Sequence, residues 1–285
     1  MTFVSMKNML TQAKRDHYAV AQININGLLW IQAILASAQR QQAPIIVSVS
    51  DRMVEFLGGF ECIYQMVLTT HKKLDIRVPV ALHLDHGASV DHCLQAIDAG
   101  FSSVMFDGSH SPIEENIKHT KIVCDYAKKH GVSVEAEVGT VGGNEDGLIG
   151  GVRYADFNEC ITLVEQTDVD ALAPALGSVH GKYSGNGPQL GFTEMARLNN
   201  ALTIPLVLHG ASGIPNDQLQ NCIQLGHAKI NFNTELVTTW AQSVRHTMQT
   251  HPEFCEPRLI MLPAKQALMD KITHIIDVTG SAHRA

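Results

Sequence analysis

The chain has 285 residues, and a composition of 45% hydrophobic and 17% charged residues supplies a large core and excludes global disorder. Its 21 Lys+Arg against 28 Asp+Glu give a formal charge of −7 without a basic run, which argues against nucleic acid as the main partner. Residues 1–18 have neither the apolar core of a signal peptide nor the length of a membrane span, so no membrane partner is expected. Six cysteines (Cys62, Cys93, Cys124, Cys160, Cys222 and Cys255) lie far apart with no C-x-x-C pair. They read as separate buried thiols of a reducing compartment, with the cytoplasm the expected location.

Hydrophobic periodicity alternates short apolar runs with helical stretches along the chain. A strand is predicted over Ala19–Asn24, a helix over Leu28–Arg40, and strands over Pro44–Ser50 and Pro79–Asp85. A helix over Val90–Ala99, a strand over Ser103–Asp107, a helix over Ile113–His130 and a strand over Val132–Glu137 follow. The last units are strands over Ala171–Ala175 and Pro205–His209, a helix over Asp217–Leu225, a strand over Ala228–Asn231 and a terminal helix over Leu259–Ile276. Eight strands covered on both faces and alternating with helices predict an α/β fold, a (β/α)8 TIM barrel with an additional C-terminal helix. No linker or low-complexity stretch interrupts it, so residues 1–285 are expected to form one barrel domain. No G-x-G-x-x-G follows the first strand, which weakens a dinucleotide-binding reading.

Nearly every predicted strand ends in a polar residue: Asn24, Ser50, Asp85 with His86, Asp107, Glu137, His209, and Asn231 with Asn233. The sixth is followed closely by Gly177-Ser178-Val179-His180-Gly181. Strand ends of a barrel share one rim, where the active site sits. Chain leaving a core turns polar in any case, but that explains poorly a set of three His, two Asp and one Glu. His86, His180 and His209 would face the rim centre, and three neutral imidazoles with an open position form a catalytic metal site. Asp85, beside His86, is placed as an acid/base or as a carboxylate orienting a ligand. Glu137 is placed as a further ligand or an outer carboxylate. His83 and Glu135, two residues before Asp85 and Glu137, form a deeper polar layer with a structural role.

Glycine-rich turns add an anion hypothesis. His209-Gly210-Ala211-Ser212-Gly213 and Asn231-Phe232-Asn233-Thr234 follow strands seven and eight, a common phosphate site in barrels. Ordinary turn and capping chemistry is the plainer alternative. The stretch Gly139–Gly147, with Gly150 and Gly151 soon after, reads as a mobile lid carrying a catalytic group or as a solvated loop.

At these residues the chain resembles the class II, zinc-dependent fructose-bisphosphate aldolases, in the short bacterial type that also includes tagatose-bisphosphate aldolases. The carriers are V-A-L-H-L-D-H-G at 80–87, V-E-A-E-V-G-T-V-G-G at 134–143, A-P-A-L-G-S-V-H-G at 173–181, L-V-L-H-G-A-S-G at 206–213 and K-I-N-F-N-T-E at 229–235. The resemblance implies zinc on His86, His180 and His209, with Glu137 at an alternate metal position and Asp107 a site carboxylate. It makes Asp85 the acid/base for the C4 hydroxyl and Glu145 the acid/base for the ene-diolate. Gly181, Gly210, Ser212, Asn233 and Thr234 become the phosphate cradle, and Asn231 touches substrate near the metal. Asn24 and Ser50 fall near the distal phosphate, and Arg258 reaches a distal phosphate, typically in a partner subunit. A monovalent cation (Na+ or K+) near the cradle and a homo-oligomer, dimer or tetramer, are implied too. The reaction implied is reversible cleavage of a ketose 1,6-bisphosphate into dihydroxyacetone phosphate and glyceraldehyde 3-phosphate, as in glycolysis. L-G-G-F at 57–60 leans toward fructose; tagatose bisphosphate or another ketose phosphate, with or without a companion subunit, is the alternative.

The chain departs from the family pattern in three places. Asp51-Arg52-Met53 follow Ser50 where small residues are usual; Glu256-Pro257-Arg258 replaces Asp-Pro-Arg; and Ser184 stands where a Lys is common, with Lys182 nearby. Changes at the expected distal end bear on the identity of the ketose. No Lys sits at a strand end except Lys229, before the cradle, so a Schiff-base route has no obvious nucleophile. A metal-dependent hydrolase would need no double phosphate grip, and a non-catalytic sugar-phosphate binder would not need Asp85 and Glu145.

Overall fold

The computed structural model describes residues 3–145, 148–150, 153–181, 183 and 188–285, with residues 144, 145 and 148–150 described by backbone alone. Asp146, Gly147, Gly151, Lys182 and Ser184, singled out above, lie outside the described residues. Eight parallel strands close into a barrel: Val20–Asn24, Ile45–Ser50, Val80–Gly87, Ser103–Phe106, Ser133–Val138, Ala171–Pro174, Leu206–Leu208 and His227–Phe232. The ring closes between the first and eighth, with Gln22 opposite Asn231. Each strand is buried along nearly its whole length, inward toward the barrel and outward beneath helices. That double burial is why the runs are continuously apolar and not alternating.

The predicted barrel is therefore the observed one, with edges moved by a residue or two. Val90–Ala99 and Ile113–His130 are helices with the expected bounds. The terminal helix is longer, Pro257–Thr279, and starts with Pro at its first turn, where a missing N–H costs nothing. Leu268, Ile272, Ile275 and Ile276 of that helix are buried, and it packs on the helix Leu28–Gln41.

Helix Met6–Arg15 closes the N-terminal end of the barrel. Ser5 caps it, its side chain accepting from Lys7 N–H. Met6, Met9, Leu10 and Ala13 pack against Val20, Ile46, Ala81, Ala171, Val207 and Ala228 in an apolar plug. Burying one such leucine is worth about 2 kcal/mol.

Two expectations need correction. Cys62 and Cys255 are exposed, although the other four cysteines are buried; all six are free. The first lies on the outer face of helix Phe60–Lys73 and the second in the turn before Pro257. The glycine-rich stretch after the fifth strand is also no simple loop. Gly142–Glu145 pairs antiparallel with Leu148–Gly150 and parallel with Val179–His180. Gly143 makes this possible: at φ 103° its missing Cβ would lie 2.1 Å from His180 O.

Candidate active site

The third strand ends in an irregularity that sets the site. Pairing with the fourth strand shifts register between Leu84 and Gly87, and His86, inside the shift, has φ 50°. A non-glycine residue in the left-handed region carries strain of about 1–3 kcal/mol. The register shift lets Asp85 and His86, adjacent in sequence, both serve the rim.

Asp85 is 1% exposed and is held by two amides. Asn24 Nδ2 donates to Asp85 Oδ2 at 2.9 Å and Asn231 Nδ2 to Oδ1 at 3.3 Å. The Asn24 amide is oriented from below, because its Oδ1 accepts from Gln22 Nε2 at 3.2 Å and Ser48 Oγ at 2.6 Å. Burial opposes ionisation of Asp85, but the charges of nearby His86, His209 and Lys229 outweigh it and hold the carboxyl well below the usual range.

His86, His180 and His209 present ring nitrogens within 4.8 Å of one another, and His86, Asp107 and Glu137 form a second such group. His86 Nε2 and His209 Nδ1 are 3.0 Å apart. The opposite nitrogen of each ring meets a carboxylate: His86 Nδ1 meets Asp107 Oδ2 at 2.8 Å, and His209 Nε2 meets Glu135 Oε1 at 2.9 Å. In each ring one nitrogen is held by a carboxylate and the other turns toward the neighbouring imidazole, the arrangement of metal-binding histidines. The donor set fits a divalent metal such as zinc. Glu137 Oε2 lies 4.0 Å from His86 Nδ1, and Glu137 Oε1 accepts from Val141 N–H at 3.2 Å. Burial opposes the charge of Asp107, but the hydrogen bond and charge of His86 hold its carboxyl well below the usual range.

Beneath these groups lies a charged layer that the sequence shows only in part. Lys229 and Glu135 have fully buried side chains, with Lys229 Nζ 2.8 Å from Glu135 Oε2. Burial disfavours the Glu135 carboxylate, yet the Lys229 charge and the His209 hydrogen bond bring its pKa down to about 2. Burial, with the charge of Lys229, lowers His83 to about 3, so His83 is a neutral ring there, hydrogen-bonded to Ser103 Oγ at 2.8 Å. The signal for this layer was the two-residue spacing of Gln22/Asn24, Ser48/Ser50, His83/Asp85, Glu135/Glu137 and Lys229/Asn231, which puts both members of each pair on one side of a strand.

Asn24, His180, Gly181, Gly210, Ser212, Asn231, Asn233 and Thr234 line one cleft, so the structure brings the expected cradle residues together. Gly210, at φ 65°, packs where a Cβ would come within 2.4 Å of Val179 O. Ser212 Oγ accepts from Glu235 N–H at 3.2 Å, at the start of helix Thr234–Thr250. Tyr183, absent from the expected set, donates to Gly210 O at 2.8 Å and accepts from Val179 N–H at 3.2 Å. Burial pushes its pKa up to about 12, so it remains a hydroxyl donor tying the two rim loops together.

Not every expected residue joins the cleft. Ser50 is buried at the end of its strand, in register with Asp85, and does not line the cleft. Arg258 stands on the surface at the start of its helix, its Nε donating to Glu256 at 2.9 Å. Glu145 has its backbone in the ribbon, but its side chain lies outside the described residues.

A parallel barrel with three converging imidazoles, a buried carboxylate between amides and a glycine-lined cleft at one rim defines a metal-assisted enzyme of sugar-phosphate type. The profile of the family "Fructose-bisphosphate aldolase class-II" matches residues 4–284, and the chain belongs to that family. It is an aldolase, a carbon–carbon lyase. It is 58% identical to "6-phospho-5-dehydro-2-deoxy-D-gluconate aldolase" of Bacillus velezensis, over 100% of this chain and 98% of that one. It is 49% identical to "Fructose-bisphosphate aldolase" of Geobacillus stearothermophilus, over 100% of this chain and 99% of that one. Among solved structures, the YdjI aldolase of Escherichia coli K12 superposes with a TM-score of 0.86 at 30% identity, covering 99% of each chain. The names divide on the sugar, so they give the class of reaction without selecting the substrate. Among the described residues, no helix is long and apolar enough to cross a membrane.

Proposed function

We propose that the chain is a zinc-dependent class II aldolase that cleaves 6-phospho-5-dehydro-2-deoxy-D-gluconate into dihydroxyacetone phosphate and a three-carbon aldehyde bearing a carboxylate. The observation that carries the reaction class is the convergence of His86, His180 and His209 beside a carboxylate held by Asn24 and Asn231. Relatives bearing that substrate name are 53–58% identical to this chain, against 49–50% for those named fructose-bisphosphate aldolase.

Zinc on the three histidines supplies a Lewis acid beside the substrate ketone, where negative charge develops as the carbon–carbon bond breaks. The chain does the rest. Asp85 accepts the proton of the hydroxyl two carbons from the ketone, while the bond between that carbon and the ketone's neighbour breaks. Glu145 returns a proton to the new carbanion carbon. Asn231 holds the substrate close to Asp85. Gly181, Gly210, Ser212, Asn233 and Thr234 grip the phosphate through backbone and side-chain donors, fixing the reacting carbons in line. Asn233 Oδ1, buried without a hydrogen-bond partner among the described residues, suits a monovalent cation that completes the cradle. Glu137 and Asp107 offer the metal its alternate position.

The two candidate sugars share the dihydroxyacetone phosphate half and differ at the other end, where one carries a carboxylate and the other a phosphate. Arg52, exposed in the short helix Asp51–Val54 directly after the second strand, puts a cation two residues beyond Ser50 at that end of the strand. A planar guanidinium matches a carboxylate by two parallel hydrogen bonds. Arg258 serves a neighbouring subunit in this reading. Exposed Val237, Met248, Leu259 and Leu262 on its own and the preceding helix support a second copy covering them.

The test is kcat/KM of the purified chain on 6-phospho-5-dehydro-2-deoxy-D-gluconate and on fructose and tagatose 1,6-bisphosphates, with and without chelator. The expected result is chelator-sensitive cleavage that favours the carboxylate-bearing sugar by about tenfold or more, the worth of one charge-assisted hydrogen bond. Preference for a bisphosphate overturns the substrate; chelator-resistant cleavage, or borohydride trapping of a covalent adduct, overturns the class.

A further inference from the structure

The layer under the site holds an ion pair that does not itself line the substrate cleft but contacts one cleft residue, Asn231, and one of the three converging imidazoles, His209. Resting on the class II reading above, the geometry points to Lys229 as a positioning residue that orients two groups of the site at once: His209, through Glu135, and Asn231, directly. An ammonium only donates. Lys229 Nζ donates to Asn231 Oδ1 at 2.9 Å, so the Asn231 amide presents its oxygen downward and its Nδ2 upward to Asp85 Oδ1, 3.3 Å away. With the amide reversed, a carbonyl oxygen would face the carboxylate. On the other side, Lys229 sits 2.8 Å from Glu135 Oε2, while Glu135 Oε1 accepts from His209 Nε2 at 2.9 Å. That second bond keeps the proton on Nε2 and turns Nδ1 toward His86 Nε2, 3.0 Å away. One cation thus sets the donor face offered to the base and the lone pair offered to the metal.

A purely structural role explains this less well. Both side chains are fully buried, and a buried ion pair pays a desolvation cost that apolar residues of similar volume avoid. Packing would be served by a methionine and a glutamine. What they cannot do is force an amide oxygen to one side while a carboxylate is held against an imidazole.

The experiment uses the full chain with Lys229→Met and Glu135→Gln together, so that neither charge is left buried alone. Zinc affinity is measured by competition with a chromogenic chelator, and kcat and KM at saturating zinc with the preferred sugar phosphate. The wild-type chain is measured first. If it binds zinc but cleaves no sugar phosphate, the class II reading fails, and the present inference is then judged on zinc affinity alone. The expected result is zinc affinity weakened about 10–100-fold and kcat lowered about tenfold or more with KM little changed, the pattern of a group aligned for the transition state. A folded double variant that keeps either wild-type zinc affinity or wild-type kcat overturns the proposal for the corresponding arm. A double variant that does not fold assigns the pair to the core and overturns it whole.

Discussion

At the N-terminal end of the barrel, Val20, Ile46, Ala81 and Val207 point into an apolar plug made with Met6, Met9, Leu10 and Ala13. Two residues further along the first three of these strands stand Gln22, Ser48 and His83, all buried and all polar. A further two steps bring Asn24, Ser50 and Asp85 to the rim. One side of one sheet therefore passes from hydrocarbon to a hydrogen-bonded layer to a reactive surface within a few residues. The lower end stabilises by removing apolar area from water. The upper end retains buried polar groups, whose desolvation is offset by hydrogen bonds such as Asn24–Asp85 and His83–Ser103. Stability and chemistry are thus segregated along the strand axis, and substitutions at the two ends should separate cleanly.

The comparison can be broken most forcefully at the top. Removing metal with a chelator should abolish turnover and leave the barrel folded by circular dichroism, with zinc restoring the rate; unfolding on chelation would mean that the rim carries the fold. Asp85→Ala should lower kcat by about 10²-fold or more while zinc content, measured by atomic emission, stays at the wild-type level. Near-normal turnover would remove Asp85 from the reaction.

The lower end should respond in the opposite sense. Leu10→Ala opens a cavity in the plug and should cost about 2–5 kcal/mol in denaturant unfolding, with kcat of the folded protein unchanged. A fall in kcat at constant zinc content would show that the plug reaches the site mechanically.

The smallest effect sharpens the comparison through pH. His227, fully buried at the start of the eighth strand with Nδ1 3.0 Å from Cys222 O, has its pKa brought down to about 4 by burial. Its unfolded value is near 6.5, so as pH falls below 6.5 the unfolded chain takes up a proton that the folded chain refuses. The stability is complete above pH 6.5 and is lost progressively down to about pH 4, by at most on the order of 3 kcal/mol. His227→Gln should flatten the acid side of a melting-temperature profile over that window; an unchanged slope would refute the assignment.

Much of the site was legible because barrels convert sequence position into location. A polar residue closing an apolar run had to emerge at the common rim, and Asp85, His86, His209 and Asn231 do so. The layer beneath was harder to see. Glu135 and His83 read as structural, and Lys229 only as a residue preceding the cradle, because nothing in a strand pattern says that three ionisable groups on different strands meet inside the barrel. The strand pairing of the ribbon was not legible for a related reason. Glycines at 139–147 carry no side chains to mark a pairing face, and the pairing partner, Val179–His180, is more than thirty residues away.

Taken alone, the sequence determined the barrel, the plane of the site and the residue types on it, since hydrophobic periodicity is local and every strand must end somewhere. Tertiary structure decided the rest: which imidazole nitrogen faces inward, which way the Asn24 and Asn231 amides turn, and that one buried ammonium contacts both Glu135 and Asn231. Those choices depend on distances between strands that the chain order does not encode, because a hydrogen bond is fixed by where its partner sits in space and not by how far away it lies along the backbone.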